Sequence, residues 1–307
     1  MRDRFVRELI EIARKDKDVV LLTGDLGFGV LQPYWEEFPN QFVNVGIAEQ
    51  NMLGIAAGLA MNGKKVFVYS IGNFPTLRAI EFIRNDIAYH NANVNIVCVG
   101  GGFAYGSAGM SHHATEDIAI MRALPNMVVM TPGDLLEVQE ATKAIYNHNG
   151  PCYLRLGKGG EKQFHSQINN FEIGKAIEFK NGKDIAILSC GVMMEEAIEL
   201  AELLEKENIN PSLFTFPSVK PIDKCLIEKL AQDNNIILSL EEHNIVGGFG
   251  SAIAEIMAEM PNHKARLIRI GLNDEFTSIV GTQKYLRQHY NISADKILKR
   301  LKEEKVI

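Results

Sequence analysis

Residues 42–70, FVNVGIAEQNMLGIAAGLAMNGKKVFVYS, hold in one stretch the unit from which the chain is built. A β-branched run (Phe42 to Val45) leads into small and apolar residues at helical spacing (Gln50 to Met61). Asn62-Gly63 then makes a turn, and a second run follows (Lys65 to Ser70). The glycine ends the helix because it takes positive φ without steric cost. Strand, helix and strand in this order imply a parallel sheet flanked by helices. Outward from this unit the alternation continues, with strands predicted over Val19 to Thr23, Asn95 to Val99, Met127 to Thr131 and Tyr153 to Leu156. Helices are predicted over Arg4 to Arg14, Leu77 to Tyr89, Glu116 to Ala123 and Leu135 to Tyr146. The six strands would fill one sheet.

After Leu156 the sequence GKGGEKQFHSQINNFEIGK loses its periodicity and gains glycine and polar residues. It reads as a linker. The first domain is therefore placed at 1–160, the linker at 161–175 and a smaller second domain at 176–307. That second domain has predicted strands at Ile185 to Ser189, Ser212 to Thr215, Ile236 to Ser239 and Leu267 to Ile270. Helices are expected at Glu195 to Glu207, Leu226 to Gln232 and Gly250 to Met260. The fold class is α/β: two consecutive domains, each a mostly parallel sheet flanked by helices.

A chain of 307 residues supports two cores at roughly 100 to 200 residues each. With 46% hydrophobic and 23% charged residues it is neither disordered nor fibrous. The formal net charge of -6, with no basic stripe, argues against nucleic acid as a partner. No apolar run approaches the roughly 18 residues of a membrane span. The opening MRDRFVRELIEIARKDK is too charged and periodic for a signal peptide. Cys98, Cys152, Cys190 and Cys225 lie far apart, which suggests neither a metal knuckle nor a disulfide framework, so a reducing cytoplasmic setting is expected.

Five stretches read as neither plain core nor plain surface: TGDLGFG (23–29), NVGIAEQNMLGIAAGLA (44–60), YSIGNFPTLRA (69–79), VGGGFAYGSAGMSHHATED (99–117) and YLRLGKGG (153–160). Three directly follow predicted strands of one sheet, and strand ends in open α/β sheets face the ligand crevice. Glu49 opens a helix, where an acid can serve chemistry or simply complement the helix dipole for about 0.3–1 kcal/mol. Gly54 and Gly58, four apart, would let another backbone come close. His112 and His113 lie in a glycine-rich loop, either facing a ligand or acting as surface and capping residues. Zinc is disfavoured, because adjacent histidines point apart, no H-x-x-x-H spacing occurs and no cysteine is near. Arg155 can hold an anion bidentately or pair with a neighbouring carboxylate.

VGIAEQNM, SHHATEDIAIMRALPNMVVMTPGD, EEHNIVGGFGSAIAE and GTQKYLRQHY follow one another in this order. With these motifs the chain resembles, over essentially its whole length, the C-terminal half of transketolase and of deoxyxylulose phosphate synthase. The resemblance implies a thiamine diphosphate pyrimidine-binding fold followed by a transketolase C-terminal fold. It also implies transfer of a two-carbon ketol unit between sugars. Glu49 would then hydrogen-bond the cofactor's aminopyrimidine and activate it, with Phe74 stacked on that ring and Ile47 beside it. His112 and His113 would act in catalysis by orienting substrate hydroxyls, and Tyr69, Arg155 and Asp25 would contact the substrate.

Transketolases hold the diphosphate and its Mg2+ with a GDG tripeptide and a later Asn, and GDG is absent from this chain. The resemblance therefore implies no metal ligands here, a separate N-terminal subunit that carries GDG and Asn, and an α2β2 heterotetramer. Ala108 stands where relatives have an acid, and Gly100 and Gly101 stand where they have His or Arg. These departures suggest a roomier pocket without that cation, for a sugar outside the pentose phosphate set, nucleotide-activated sugars included. Two other readings remain open at this point: the β subunit of a 2-oxo acid dehydrogenase, and a scaffold that kept the fold without the cofactor.

Overall fold

RDRFVRELIEIA folds as helix Arg2–Ala13, whose Phe5, Val6, Leu9, Ile10 and Ile12 are buried at three- and four-residue spacing. Helix Leu135–Asn147 packs beside it and is capped by Asp134, whose carboxylate accepts the Leu136 and Glu137 N–H groups. In the computed structural model, which describes residues 1–307, both lie on one face of a sheet. Its strands are β1 (Val19–Thr23), β2 (Phe42–Asn44), β3 (Lys65–Ile71), β4 (Val94–Val99), β5 (Val128–Met130) and β6 (Cys152–Leu156). Further along the chain come β7 (Ile177–Lys180), β8 (Ile185–Ser189), β9 (Pro211–Thr215), β10 (Ser218–Lys220), β11 (Ile236–Asn244) and β12 (Arg266–Leu272). Strands β1, β4, β5 and β6 are buried throughout, as strands covered on both faces must be.

The first sheet runs β10-β5-β6-β4-β3-β1-β2, and all its pairs are parallel except β10 with β5. Six strands therefore do not fill it. The seventh, β10, lies beyond residue 176 and pairs Ser218 with Met130. Thr131 secures the join, its N–H donating to the Pro217 carbonyl at 2.8 Å and its Oγ1 to the Phe216 carbonyl at 3.0 Å. The second sheet runs β12-β11-β8-β9-β7, parallel except for β7 against β9. Helices Gln32–Glu37, Gln283–His289 and Ala294–Glu303 and the short strands β7 and β10 were not expected from periodicity.

The helix expected over Leu77 to Tyr89 begins earlier and is broken into Asn73–Arg78, Ile80–Phe82 and a π-helical turn, Ile83–Ala88. Pro75 sits in its first turn, where a missing N–H costs nothing. Gly72 is required just before it, because a Cβ there would lie 2.8 Å from the Ala114 Cβ.

The domains share one apolar cluster that includes Val68, Ile96 and Tyr153 from the first and Phe214, Phe249 and Ile253 from the second. A polar seam crosses the same boundary. Arg155 Nε donates to Asp117 Oδ2 at 2.8 Å, and its Nη2 reaches the Ala114 carbonyl at 2.8 Å and the Glu242 carbonyl at 3.0 Å. Tyr153 donates to the same Asp117 oxygen at 2.5 Å. The Glu242 carboxylate accepts from the Phe103 N–H, from Gln283 and from Arg287. Glu241 accepts the Phe249 and Gly250 N–H groups, yet complete burial pushes its carboxyl up to about 7. His243 is held down to about 4, chiefly by burial.

Residues 161–175 form neither helix nor strand. His165 ties them to the first domain through Asp134, Nδ1 to Oδ2 at 3.1 Å, and the Phe179 ring of β7 stands edge-on to its imidazole.

Candidate active site

The parallel order puts the C-terminal ends of β1, β2, β3, β4 and β6 on one edge, and each runs into one of the five unusual stretches. The convergence is complete: all five loops share the edge, where the sequence placed three directly after strands. Asp25, at positive φ, is tied to the end of β2 by reciprocal hydrogen bonds with Asn44, N–H to Oδ1 at 2.9 Å and Nδ2 to Oδ1 at 3.2 Å. Asp25 stays exposed, as does Ile47, which is 77% exposed beside Glu49.

Glu49 is the first residue of helix Glu49–Met61, and its side chain is 3% exposed. A carboxylate that only complemented the helix dipole would gain by facing water; this one is enclosed. Its Oε2 accepts from Arg78 Nη1 at 3.1 Å, and the Arg78 guanidinium stands 5.6 Å from the centre of the Phe74 ring. Phe74 and Arg78 share one face of helix Asn73–Arg78, four residues apart. The His112 ring meets Phe74 edge-on, 5.3 Å between centroids, and Ser111 Oγ lies 3.0 Å from His112 Nδ1. Tyr105 follows at 6.1 Å from His112, with Lys158 Nζ 4.9 Å from its ring centre. Glu49, Phe74 and His112 thus form one row, joined by Arg78, Tyr105 and Lys158, which the sequence reading did not single out. The Phe74–Arg78 spacing was the available signal.

Three other expected site residues lie elsewhere. His113 is 2% exposed, with Nδ1 2.6 Å from Thr277 Oγ1 and Nε2 3.0 Å from the Gly106 carbonyl. Because both nitrogens are engaged, it cannot orient a substrate hydroxyl; it pins the loop to the second domain. Asn73 Nδ2 donates to its carbonyl at 2.8 Å, so the same residue also steadies the helix carrying Phe74. Replacing Thr277 by Val is expected to cost about 1–3 kcal/mol, because Nδ1 loses its partner in a dry site. Thr277→Ser should restore most of it, as read from the urea midpoint at constant m. Arg155 is 4% exposed and committed to Asp117, so its substrate role gives way to the carboxylate pairing. Tyr69 is 2% exposed within the core and stacked on Phe5, and burial pushes its hydroxyl up. It has no open face for a substrate.

The expectation of extra room at Gly100 and Gly101 is also corrected. A Cβ on Gly100 would lie 2.3 Å from the Tyr105 ring, and one on Gly101 would lie 2.8 Å from the Arg155 guanidinium. The space left by the missing side chains is filled. The close approach expected at Gly58 is not made within the chain, since nothing lies within 4 Å of a Cβ there.

Asp134, Glu137 and His165 are the one trio near enough to share a cation; Asp134 and Glu137 follow β5 on the same edge of the sheet. Their oxygens are already taken: Asp134 by four main-chain N–H groups, Glu137 by the Gly133 N–H and the Thr215 hydroxyl. Burial pushes Glu137 up to about 7. The trio is a junction between the domains and residues 161–175. No helix is long and apolar enough to cross a membrane.

The family profile for the transketolase pyrimidine-binding domain matches residues 1–160, and that for the transketolase C-terminal domain matches 174–297. A putative transketolase C-terminal section from Methanocaldococcus jannaschii is 38% identical over 307 residues, covering 99% of this chain and 96% of that protein. An apulose-4-phosphate transketolase subunit from Phocaeicola vulgatus is 35% identical over 300 residues, covering 97% and 95%. A solved split-gene transketolase, described as an inactive β4 tetramer, superposes with a TM-score of 0.90 at 35% identity, covering 98% of this chain and 97% of that one. With both domains matched in order and these relatives aligned nearly end to end, the chain belongs to the transketolase family, whose pyrimidine-binding and C-terminal domains it carries.

Proposed function

We propose that this chain supplies the pyrimidine-binding half of a thiamine diphosphate-dependent ketol transferase, and that a separate subunit supplies the diphosphate half. The observation that carries the reading is the row of Glu49, Phe74 and His112, an enclosed carboxylate, a half-buried ring and a half-buried imidazole at one sheet edge. These residues fit one half of the cofactor. Glu49 would hydrogen-bond the aminopyrimidine, Phe74 would stack on it, and exposed Ile47 would wait for a neighbour to cover it. Of the acids on the five loops, Glu49 serves the pyrimidine, Asp25 is hydrogen-bonded to Asn44 and Asp117 is paired with Arg155, which leaves Glu116 as the one carboxylate without such a commitment. The metal ligands, the GDG tripeptide and its Asn belong on the partner, in an α2β2 assembly in the cytoplasm.

When bound, the cofactor supplies the carbon nucleophile that carries the two-carbon unit. The chain's own contribution is to hold a proton at the Glu49 carboxyl, fix the ring over Phe74 and present His112 Nε2 to substrate oxygens. With Gly100 and Gly101 covered and Arg155 committed, the cations beside the Tyr105 end of the row are Lys158 and Arg2. A sugar ending in a phosphate suits this pair of cations better than the bulky nucleotide-activated sugar the sequence suggested, and the relative named for apulose 4-phosphate is consistent with this.

The test is reconstitution with a chain of similar size carrying GDG and a downstream Asn. The pair should bind thiamine diphosphate with Mg2+ in calorimetry and move a ketol unit between phosphorylated sugars. Acyl transfer to lipoamide would establish the dehydrogenase reading instead, and absence of cofactor binding would leave only the fold.

A further inference from the structure

Arg78 occupies the two partners that the proposed function reserves for the aminopyrimidine. Its Nη1 donates to Glu49 Oε2 at 3.1 Å, and its guanidinium carbon stands over the Phe74 ring, 5.6 Å from the centre. A guanidinium and an aminopyrimidine are both flat and both present N–H groups in their plane, and each can lie on an aromatic face. One carboxylate oxygen and one ring face cannot serve both. Little else holds the arginine: its side chain is 56% exposed, and Glu49 is the one side chain its guanidinium hydrogen-bonds. The contact from Gln50 Nε2 goes to the Arg78 carbonyl and leaves the guanidinium free to move. Arg78 is also the last residue of its helix, because Ala79 departs from helical geometry, so the side chain can swing without unwinding a turn.

We propose that Arg78 is a resident placeholder: without cofactor its guanidinium takes the seat of the aminopyrimidine on Glu49 and Phe74, and it leaves both when the cofactor enters. The arrangement solves a problem of the empty site, since an enclosed carboxylate without a partner would weigh on the fold. It also lowers the apparent affinity for the pyrimidine by the fraction of time the arginine is seated. The proposal rests on the reading of Glu49 and Phe74 given above.

The experiment uses the full chain alone with thiamine, which carries the aminopyrimidine and needs no diphosphate site, followed by calorimetry and ligand-observed NMR. Arg78→Leu should bind thiamine about two- to fivefold more tightly than wild type, the range expected when one ion pair, open to water at one end, no longer competes. Arg78→Lys should stay near wild type, and adding Glu49→Gln to Arg78→Leu should abolish the gain. If Arg78→Leu does not fold, Arg78→Gln, which keeps an N–H donor without charge, should show a smaller gain of the same sign. Equal or weaker binding by the folded variant, including no detectable binding to either protein, overturns the placeholder. Failure of the wild-type pair to capture thiamine diphosphate would instead overturn the cofactor reading, whatever Arg78 does.

Discussion

Replacing Glu49 by Gln should slow exchange of the thiazolium C2 proton in the reconstituted enzyme by about a hundred- to ten-thousand-fold, the range for losing a positioned acid–base group. Glutamine has nearly the same shape, so it can still donate or accept one hydrogen bond, but it cannot hold and release the proton that tunes the ring. The fold should change little. Glu49 lies at the start of a helix and makes one ion pair, with an arginine that is more than half exposed. Cofactor affinity should fall less than the exchange rate, because in the proposed assembly Phe74 and the partner's diphosphate contacts would remain; the loss then appears mainly in kcat. Exchange at the wild-type rate in a cofactor-loaded Glu49→Gln enzyme would remove the residue from the chemistry.

The second large effect concerns stability. Arg155→Met should cost about 3–5 kcal/mol, as breaking a buried pair from one side does. Asp117 would keep only the Tyr153 hydroxyl, and its Oδ1 already lacks a donor. The Glu242 carbonyl would lose its Arg155 donor and the Ala114 carbonyl would keep only the Gly102 N–H, so the damage falls on both domains. Much of it should return in Arg155→Met/Asp117→Leu, because the unpaired charge goes with the second change. Urea unfolding of the three proteins measures this. An Arg155→Met chain that unfolds like wild type but loses substrate affinity would reverse the assignment and return Arg155 to the substrate.

The fold was legible where one period dominates. The runs of β1, β4 and β6 are buried and largely apolar, broken by Asn95 in β4 and Arg155 in β6, because helices cover both faces, and the Asn62-Gly63 turn announces its own helix end. Strand β10 was not legible: three residues, Ser218 to Lys220, are too few to show a period, and their place is set by a sheet edge from the other domain. In the site, Glu49 was readable because a strand end followed by a helix start fixes where its side chain begins. Neighbouring His112 and His113 were not separable, since nothing local says which imidazole turns to Phe74 and which to Thr277. Arg155 reads the same whether its partner is a substrate or Asp117, 38 residues back. The glycines at 100 and 101 read as space because their occupants, Tyr105 and Arg155, come later in the chain.

The antiparallel strand β10 has a consequence for synthesis on the ribosome. When Leu156 has emerged, the first sheet possesses all its parallel strands, but β5, whose three residues are buried in the finished molecule, is still an open hydrophobic edge. Such edges invite pairing with other nascent chains. The vulnerable interval lasts until Ser218 to Lys220 are translated, and premature termination anywhere before that point should yield aggregates rather than a stable half-molecule.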